Sequence, residues 1–238
     1  MTDKPDRTSY QRGMVVIAHA DDAEYGFSGT VASWCQQGMQ MAYIICTDSS
    51  KGSSDPGISM KELSLIRRQE QESAAKVLGV KEVRFLGYED SILVPSLDLR
   101  RDITREIRRF KPDVIICQSP VRSLGNTHVG HPDHLAAGEA TLAAVFPTAR
   151  DHLSFPELHR AGFEPHKVRE VLVADTEHAD TWIDVGDNLK TAAAALAEHK
   201  SQVDDRDTLE LLSQWRARIG EPKGIDYAEA FRSFLFRV

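Results

Sequence analysis

Two short segments of this sequence gather side chains whose chemistry exceeds what stability requires. The first is His19-Ala20-Asp21-Asp22-Ala23-Glu24, and the second is His131-Pro132-Asp133-His134. Adjacent carboxylates repel, and each raises the pKa of the other unless a cation is near; a divalent metal removes that cost. In the second segment Pro132 suits the first position of a helix. His131 then falls at the N-cap and His134 three residues on, where both imidazoles can reach one site. Two histidines and one carboxylate with open coordination positions suit a catalytic zinc. The same donors serve non-haem iron oxygenases, but those usually place them on a β-barrel. Zinc is therefore expected, one ion per chain, with iron(II) left open.

The elements that must position these groups alternate. Apolar runs at Met14–Ala18, Met41–Cys46, Val83–Leu86 and Pro112–Cys117 read as strands, and Val168–Ala174 and Thr181–Val185 as two later ones. Helical periodicity covers Gly26–Gln37, Met60–Leu78, Leu97–Phe110, Pro132–Phe146 and Asp187–His199, with Ser59 opening the second helix and Gly79 ending it. Strands separated by helices predict an α/β fold, a Rossmann-like, mostly parallel sheet flanked by helices. In a doubly wound order 3-2-1-4, a crevice opens beyond the C-terminal ends of strands 1 and 4. Both motifs directly follow those strands. The chain is read as one domain over residues 1–238, with residues 1–12 flexible and 204–238 a helical tail. Thr47–Gly57, dense in turn residues, is read as a mobile loop, and Arg100–Arg109 as the solvated face of a helix.

Composition narrows the function. The 238 residues carry a net charge of −7, which argues against nucleic acid or an anionic membrane as partner. No apolar run is long enough for a membrane span. The polar N-terminus lacks a signal-peptide core. Cys35, Cys46 and Cys117 form no C-x-x-C pair, so neither a disulfide framework nor a thiolate zinc site is expected. Cys46 and Cys117 lie in apolar runs and are expected in the core. A reducing cytoplasm suits all of this. Of the other histidines, His128 is read as lining the loop, and His152, His159, His166, His178 and His199 as surface or packing residues.

The two motifs together resemble those of the LmbE-like, or PIG-L-like, deacetylases. The family's P-H-P-D-D-x-E stands here as Ala18-His19-Ala20-Asp21-Asp22-Ala23-Glu24, with both prolines replaced by alanine, and its H-P-D-H is intact at His131–His134. Arg67-x-x-Glu70 and the segment Phe85–Ser91 are further similarities, and the resemblance spans about Met14 to Gln202. It implies a zinc-dependent enzyme that removes acetyl from N-acetylglucosaminyl groups or related amides, acting on a small, sugar-containing N-acylated substrate. It makes His19, Asp22 and His134 the metal ligands and Asp21 the general base. His131 would face the oxyanion, Asp133 would orient and charge His131, and Arg67 would approach the substrate. Homo-oligomers are compatible with this reading.

Two other readings compete. A metal-holding protein without catalysis would have no need of Asp21. A nucleotide-binding module could use Gly26 and Gly29, but G-x-G-x-x-G is absent and Asp21 and Asp22 would repel a pyrophosphate. G-x-S-x-G, the mark of a serine hydrolase, is also absent.

Overall fold

The computed structural model describes residues 6–125 and 129–236. His128 lies outside them. The described residues form a seven-stranded sheet of order β3-β2-β1-β4-β5-β7-β6. Its strands are β1 (Arg12–Ile17), β2 (Gln40–Thr47), β3 (Glu82–Tyr88), β4 (Val114–Gln118), β5 (Glu170–Ala174), β6 (Thr181–Asp184) and β7 (Ala228–Leu235). The first five run parallel, and β7 is antiparallel to both of its neighbours. The expected 3-2-1-4 order is therefore present, and the crevice between β1 and β4 exists.

Strand periodicity sets the two cores. Met14, Val16 and Ala18 point to one face of the sheet, with Ile44, Cys46, Ile115 and Cys117. Val15 and Ile17 point to the other, with Tyr43, Ile45 and Ile116. Helices α1 (Asp22–Gly26), α2 (Ser28–Gln36), α3 (Met60–Leu78), α4 (Leu97–Phe110) and α5 (Pro132–Val145) occupy the connections between the early strands. Ser59 and Glu62 form a capping box at the start of α3, and Gly79 ends it at φ +85°. The shorter helices α6 (Pro156–Arg160), α7 (Leu189–Leu196) and α8 (Lys200–Val203) precede α9 (Thr208–Gly220). Leu189, Ala193 and Leu196 of α7 meet Leu212 of α9 in a third apolar cluster. No helix among the described residues is long and apolar enough to cross a membrane.

Several expectations need correction. The helix expected over 26–37 starts at Ser28, because Phe27, with a φ of −156° that is not helical, separates it from α1. The tail is helical over α9 and a short 3-10 turn at Glu221–Lys223, and then forms β7, inserted between β5 and β6. Its charges hid the strand, because Glu229 is buried against Arg216 at 3.0 Å instead of facing water. The described part of the N-terminal segment is anchored: Arg7 pairs with Glu170 at 2.6 Å and Tyr10 is buried. Arg108, expected on a solvated face, is buried and donates to the carbonyl oxygens of Thr148, Ala149, Asp151 and Ser154. The first residues of the loop after β2 are also built in, since Ser49 and Ser50 are buried.

Candidate active site

The two motifs meet at the C-terminal ends of β1 and β4. Strand β1 delivers His19, and a tight turn carries Asp21 and Asp22 into α1. Pro132 fixes the start of α5, where His131 is the N-cap. His19 Nδ1 lies 3.3 Å from His134 Nε2 and 3.5 Å from Asp22 Oδ2. His134 Nε2 lies 3.0 Å from Asp22 Oδ1. Donors about 2.0–2.1 Å from a tetrahedral zinc sit about 3.3 Å apart, so these separations fit a single ion. The ring nitrogens of His19, His131 and His134 also fall within 4.8 Å of one another, which puts His131 beside the same point.

A second cluster, His19 with Asp90 and Asp133, meets the same distance test, but its atoms are already engaged. Asp133 is fully buried and accepts from Ser91 N–H at 2.7 Å, Leu93 N–H at 3.1 Å and His19 Nε2 at 3.1 Å. Asp90 lies 3.2 Å from the same Nε2 and accepts from the Lys51 N–H. A carboxylate on the far nitrogen of a metal-ligating histidine fixes its tautomer and aim. This cluster therefore reads as the support that leaves His19 Nδ1 free to bind.

That finding corrects the role expected of Asp133. Its carboxylate orients His19, and its link to His131 is through the backbone: the Asp133 N–H donates to His131 Nδ1 at 3.2 Å. An accepting Nδ1 places the ring proton on Nε2, so His131 is a neutral donor toward the site. Burial lowers the His131 pKa, with His19 and His134 adding to the effect. Asp133 and Asp90 favour the protonated ring in the expected direction, but burial, His19 and His134 outweigh them.

Asp21 is set apart from Asp22 by its backbone. It is left-handed, at φ 91°. Its N–H donates to Gln71 Oε1 at 3.0 Å, and its carboxylate lies 3.3 Å from Arg67. Burial pushes the Asp21 carboxyl up to about 7, helped by the Asp22 charge and opposed by Arg67, His199 and His19. Burial also opposes ionisation of Asp22, but His134 and His19 outweigh it and hold Asp22 well below the usual range. Burial works against charge on His19 too, yet Asp22, Asp133 and Asp90 raise it to about 12. The point where these groups converge thus favours positive charge.

Arg67 is no surface residue. It is buried, and besides Asp21 it binds the Ala20 carbonyl at 2.6 Å and the Lys51 carbonyl at 3.0 Å. It lines a 180 Å³ cavity with His19, His131 and Asp90. Behind the turn is a layer the sequence reading missed. Fully buried Glu24 accepts from Gln71 Nε2 at 3.1 Å and pairs with His199 Nε2 at 3.2 Å. Its signal in the sequence was Glu24 itself, an acid inside an apolar helix start. His199, far along the chain, carried none.

A 370 Å³ cavity is lined by Asp22 and His134 together with Tyr25, Phe27, Gln118, Ser119 and Trp215 among others. The phosphate-binding alternative fails on geometry: the N–H groups of Gly29 and Thr30 at the start of α2 are taken by Glu229 at 3.0 and 2.8 Å.

Donors at zinc-like spacing, a separate buried acid and an adjoining cleft are what a hydrolase-type metal site on an α/β sheet requires. The chain belongs to the PIG-L family, GlcNAc-PI de-N-acetylase, whose model matches residues 14–145. It is 30% identical over 223 residues to the diacetylchitobiose deacetylase of Thermococcus kodakarensis, covering 92% of this chain and 81% of that protein. Among solved structures it matches N,N'-diacetylchitobiose deacetylase from Pyrococcus horikoshii, complexed with an inhibitor, at a TM-score of 0.88 and 27% identity. That match covers 96% of this chain and 85% of the other. The 4-carboxy-2-hydroxymuconate hydratase GalB of Pseudomonas putida KT2440 shares the fold at a TM-score of 0.76 and 20% identity, covering 96% of this chain and 98% of the other.

Proposed function

We propose that this protein is a metal-dependent N-deacetylase acting on N-acetylglucosaminyl-type conjugates, with His19, Asp22 and His134 holding one zinc ion. The observation that carries the reading is the convergence of those three side chains at 3.0–3.5 Å, beside a separately buried Asp21. The kinship with two diacetylchitobiose deacetylases supports the substrate class. When bound, zinc supplies Lewis acidity toward the acyl carbonyl and toward water. Iron(II) fits the same donors.

The chain's own residues do the rest. Asp21, with a pKa near neutrality, takes the proton of the attacking water and returns it to the nitrogen as the C–N bond breaks. Arg67 and Gln71 hold Asp21 in place from opposite sides, side chain and backbone. His131 offers its Nε2–H to the oxygen that becomes negative as water adds to the carbonyl carbon. Arg67 is engaged with the protein through Asp21 and the Ala20 and Lys51 carbonyls, so its role is assigned to positioning Asp21. Three free thiols suit a reducing compartment such as the cytoplasm.

The test is amine release from N-acetylated sugars by the zinc-loaded protein, together with metal analysis of variants. Asp21→Asn should keep the metal and lose about 10²-fold or more in turnover. Asp22→Ala and His134→Ala should lose the metal. An Asp21→Asn protein that stays active, or that loses its metal, would exchange the roles of the two aspartates. A metal-holding protein without catalysis would release no amine from any of these substrates.

A further inference from the structure

We infer that Trp215, on the C-terminal helix α9, is a specificity residue: its ring forms the wall on which a pyranose of the substrate stacks. The inference deepens the deacetylase reading and rests on it. Trp215 lies beyond the residues matched by the family model, yet it lines the same cavity as Asp22 and His134.

The position of Trp215 is built. Its neighbour Arg216 is buried and donates to the Tyr25 carbonyl at 2.8 Å and to Glu229 at 3.0 Å. Glu229 in turn accepts from the start of α2. One guanidinium therefore locks α9 onto the turn that carries Asp22, which brings Trp215 to Tyr25 with ring centroids 5.9 Å apart. Trp215 nevertheless stays 39% exposed, although an indole contributes most to stability when covered. Tyr25 stands three residues after Asp22 on α1, so the ring beside Trp215 shares a helix with Asp22.

The chemistry of the slot is two-sided. Trp215 and Tyr25 present aromatic rings, while Gln118, Ser119 and Ser123 present amide and hydroxyl groups. A pyranose matches this: its C–H faces suit the electron-rich face of an indole, and its hydroxyl edge suits the polar residues. Ser119, Arg122 and Ser123 also line a second cavity of 600 Å³, which continues toward Asp175 and His178. Ligand clefts run roughly 300–1,000 Å³, so one acetamido sugar suits the first cavity and leaves the second for the remainder of a conjugate. The substrate class is thus an N-acetylated amino sugar carrying a further group, with the acetamido ring against Trp215.

The test uses N,N'-diacetylchitobiose as probe, with the zinc-loaded protein and its Trp215→Ala and Trp215→Phe variants. Trp215→Ala should lower kcat/KM about tenfold, mostly through KM, while Trp215→Phe retains most of it. In zinc-loaded Asp21→Asn protein, the sugar should change tryptophan fluorescence, and adding Trp215→Phe should abolish that change despite Trp34 and Trp182. Unchanged kcat/KM in an active Trp215→Ala protein would overturn the stacking wall and leave the deacetylase reading standing. If the wild-type protein releases no amine, the deacetylase reading falls, and the fluorescence titration decides the wall alone: a Trp215-dependent change supports it, and none overturns it.

Discussion

Asp133→Asn separates two assignments that differ by one hydrogen bond. In the structure the Asp133 carboxylate takes Ser91 N–H and His19 Nε2 on one oxygen and Leu93 N–H on the other. An asparagine keeps one acceptor and replaces the other with an NH2. If the NH2 faces His19, the imidazole must move its proton to Nδ1 or lose its partner. A proton on Nδ1 occupies the lone pair that faces Asp22 and His134. Loss of such a support for a ligating histidine typically costs 10–100-fold in metal affinity, or about 1.4–2.7 kcal/mol. A competition titration against a zinc-chelating dye would measure it. Urea unfolding should show a further loss of roughly 1–3 kcal/mol if the NH2 leaves a buried N–H unpaired. Asp90→Asn should act in the same direction and more weakly, because Asp133 remains. Zinc affinity within twofold of wild type in Asp133→Asn would refute the assignment. If the variant instead reproduced the rate loss of His131→Ala at full metal content, Asp133 would act on His131 after all.

Three further outcomes follow from the supporting shell. Gln71→Leu removes the acceptor of the Asp21 N–H and the two bonds to Glu24; it should cost about 1–3 kcal/mol in urea unfolding and lower kcat with metal content unchanged. Arg67→Met removes a charge that lowers the Asp21 pKa. Since the base works ionised and activity is lost as pH falls through its pKa, the acid limb of the kcat/KM profile should move to higher pH; a fixed limb would mean that Asp21 does not set it. Arg216→Met leaves Glu229 buried without its partner and should cost about 3–5 kcal/mol by chemical denaturation, while Asp21 and the metal ligands keep their own contacts.

Most of the candidate site was legible because it is local. His19, Asp21 and Asp22 lie within four residues, and His131, Asp133 and His134 within another four, so strand ends and a proline-started helix bring them to one place. What the sequence misplaced depends on directions that spacing does not carry. Asp133 and His131 are two apart, and an interaction between them is the local guess. The actual partner of the Asp133 carboxylate is His19, 114 residues away. The fold was legible for a similar reason through β4, where apolar runs alternate with helices. It became illegible at β7, whose Glu229 and Arg232 break the apolar pattern. Glu229 has a partner, Arg216, thirteen residues earlier, and only the folded chain shows that this acid is buried. Trp215 reads in the sequence as part of the helical tail, and only the folded chain places α9 against α1 through Arg216 and the Tyr25 carbonyl.

The GalB hydratase shares this fold at a TM-score of 0.76, so the sheet alone does not select a reaction. Selection must come from how the ends of β1 and β4 are finished. Here the decisive feature is the backbone of Asp21. A non-glycine residue in the left-handed region costs of order 1–3 kcal/mol and persists only where the surroundings hold it. At Asp21 the surroundings are explicit: Gln71 takes its N–H, Arg67 its carboxylate, and the Tyr25 N–H its carbonyl at 3.0 Å. The turn sends Asp21 toward Arg67 while Asp22 enters α1 facing the histidines. Two neighbouring carboxylates that would otherwise compete for one proton are divided into a strongly ionised Asp22 and an Asp21 pushed up to about 7, the division that the proposed ligand and base roles need. Relaxing that turn would make them equivalent again, and an inert metal-holding site would have no reason to maintain the strain.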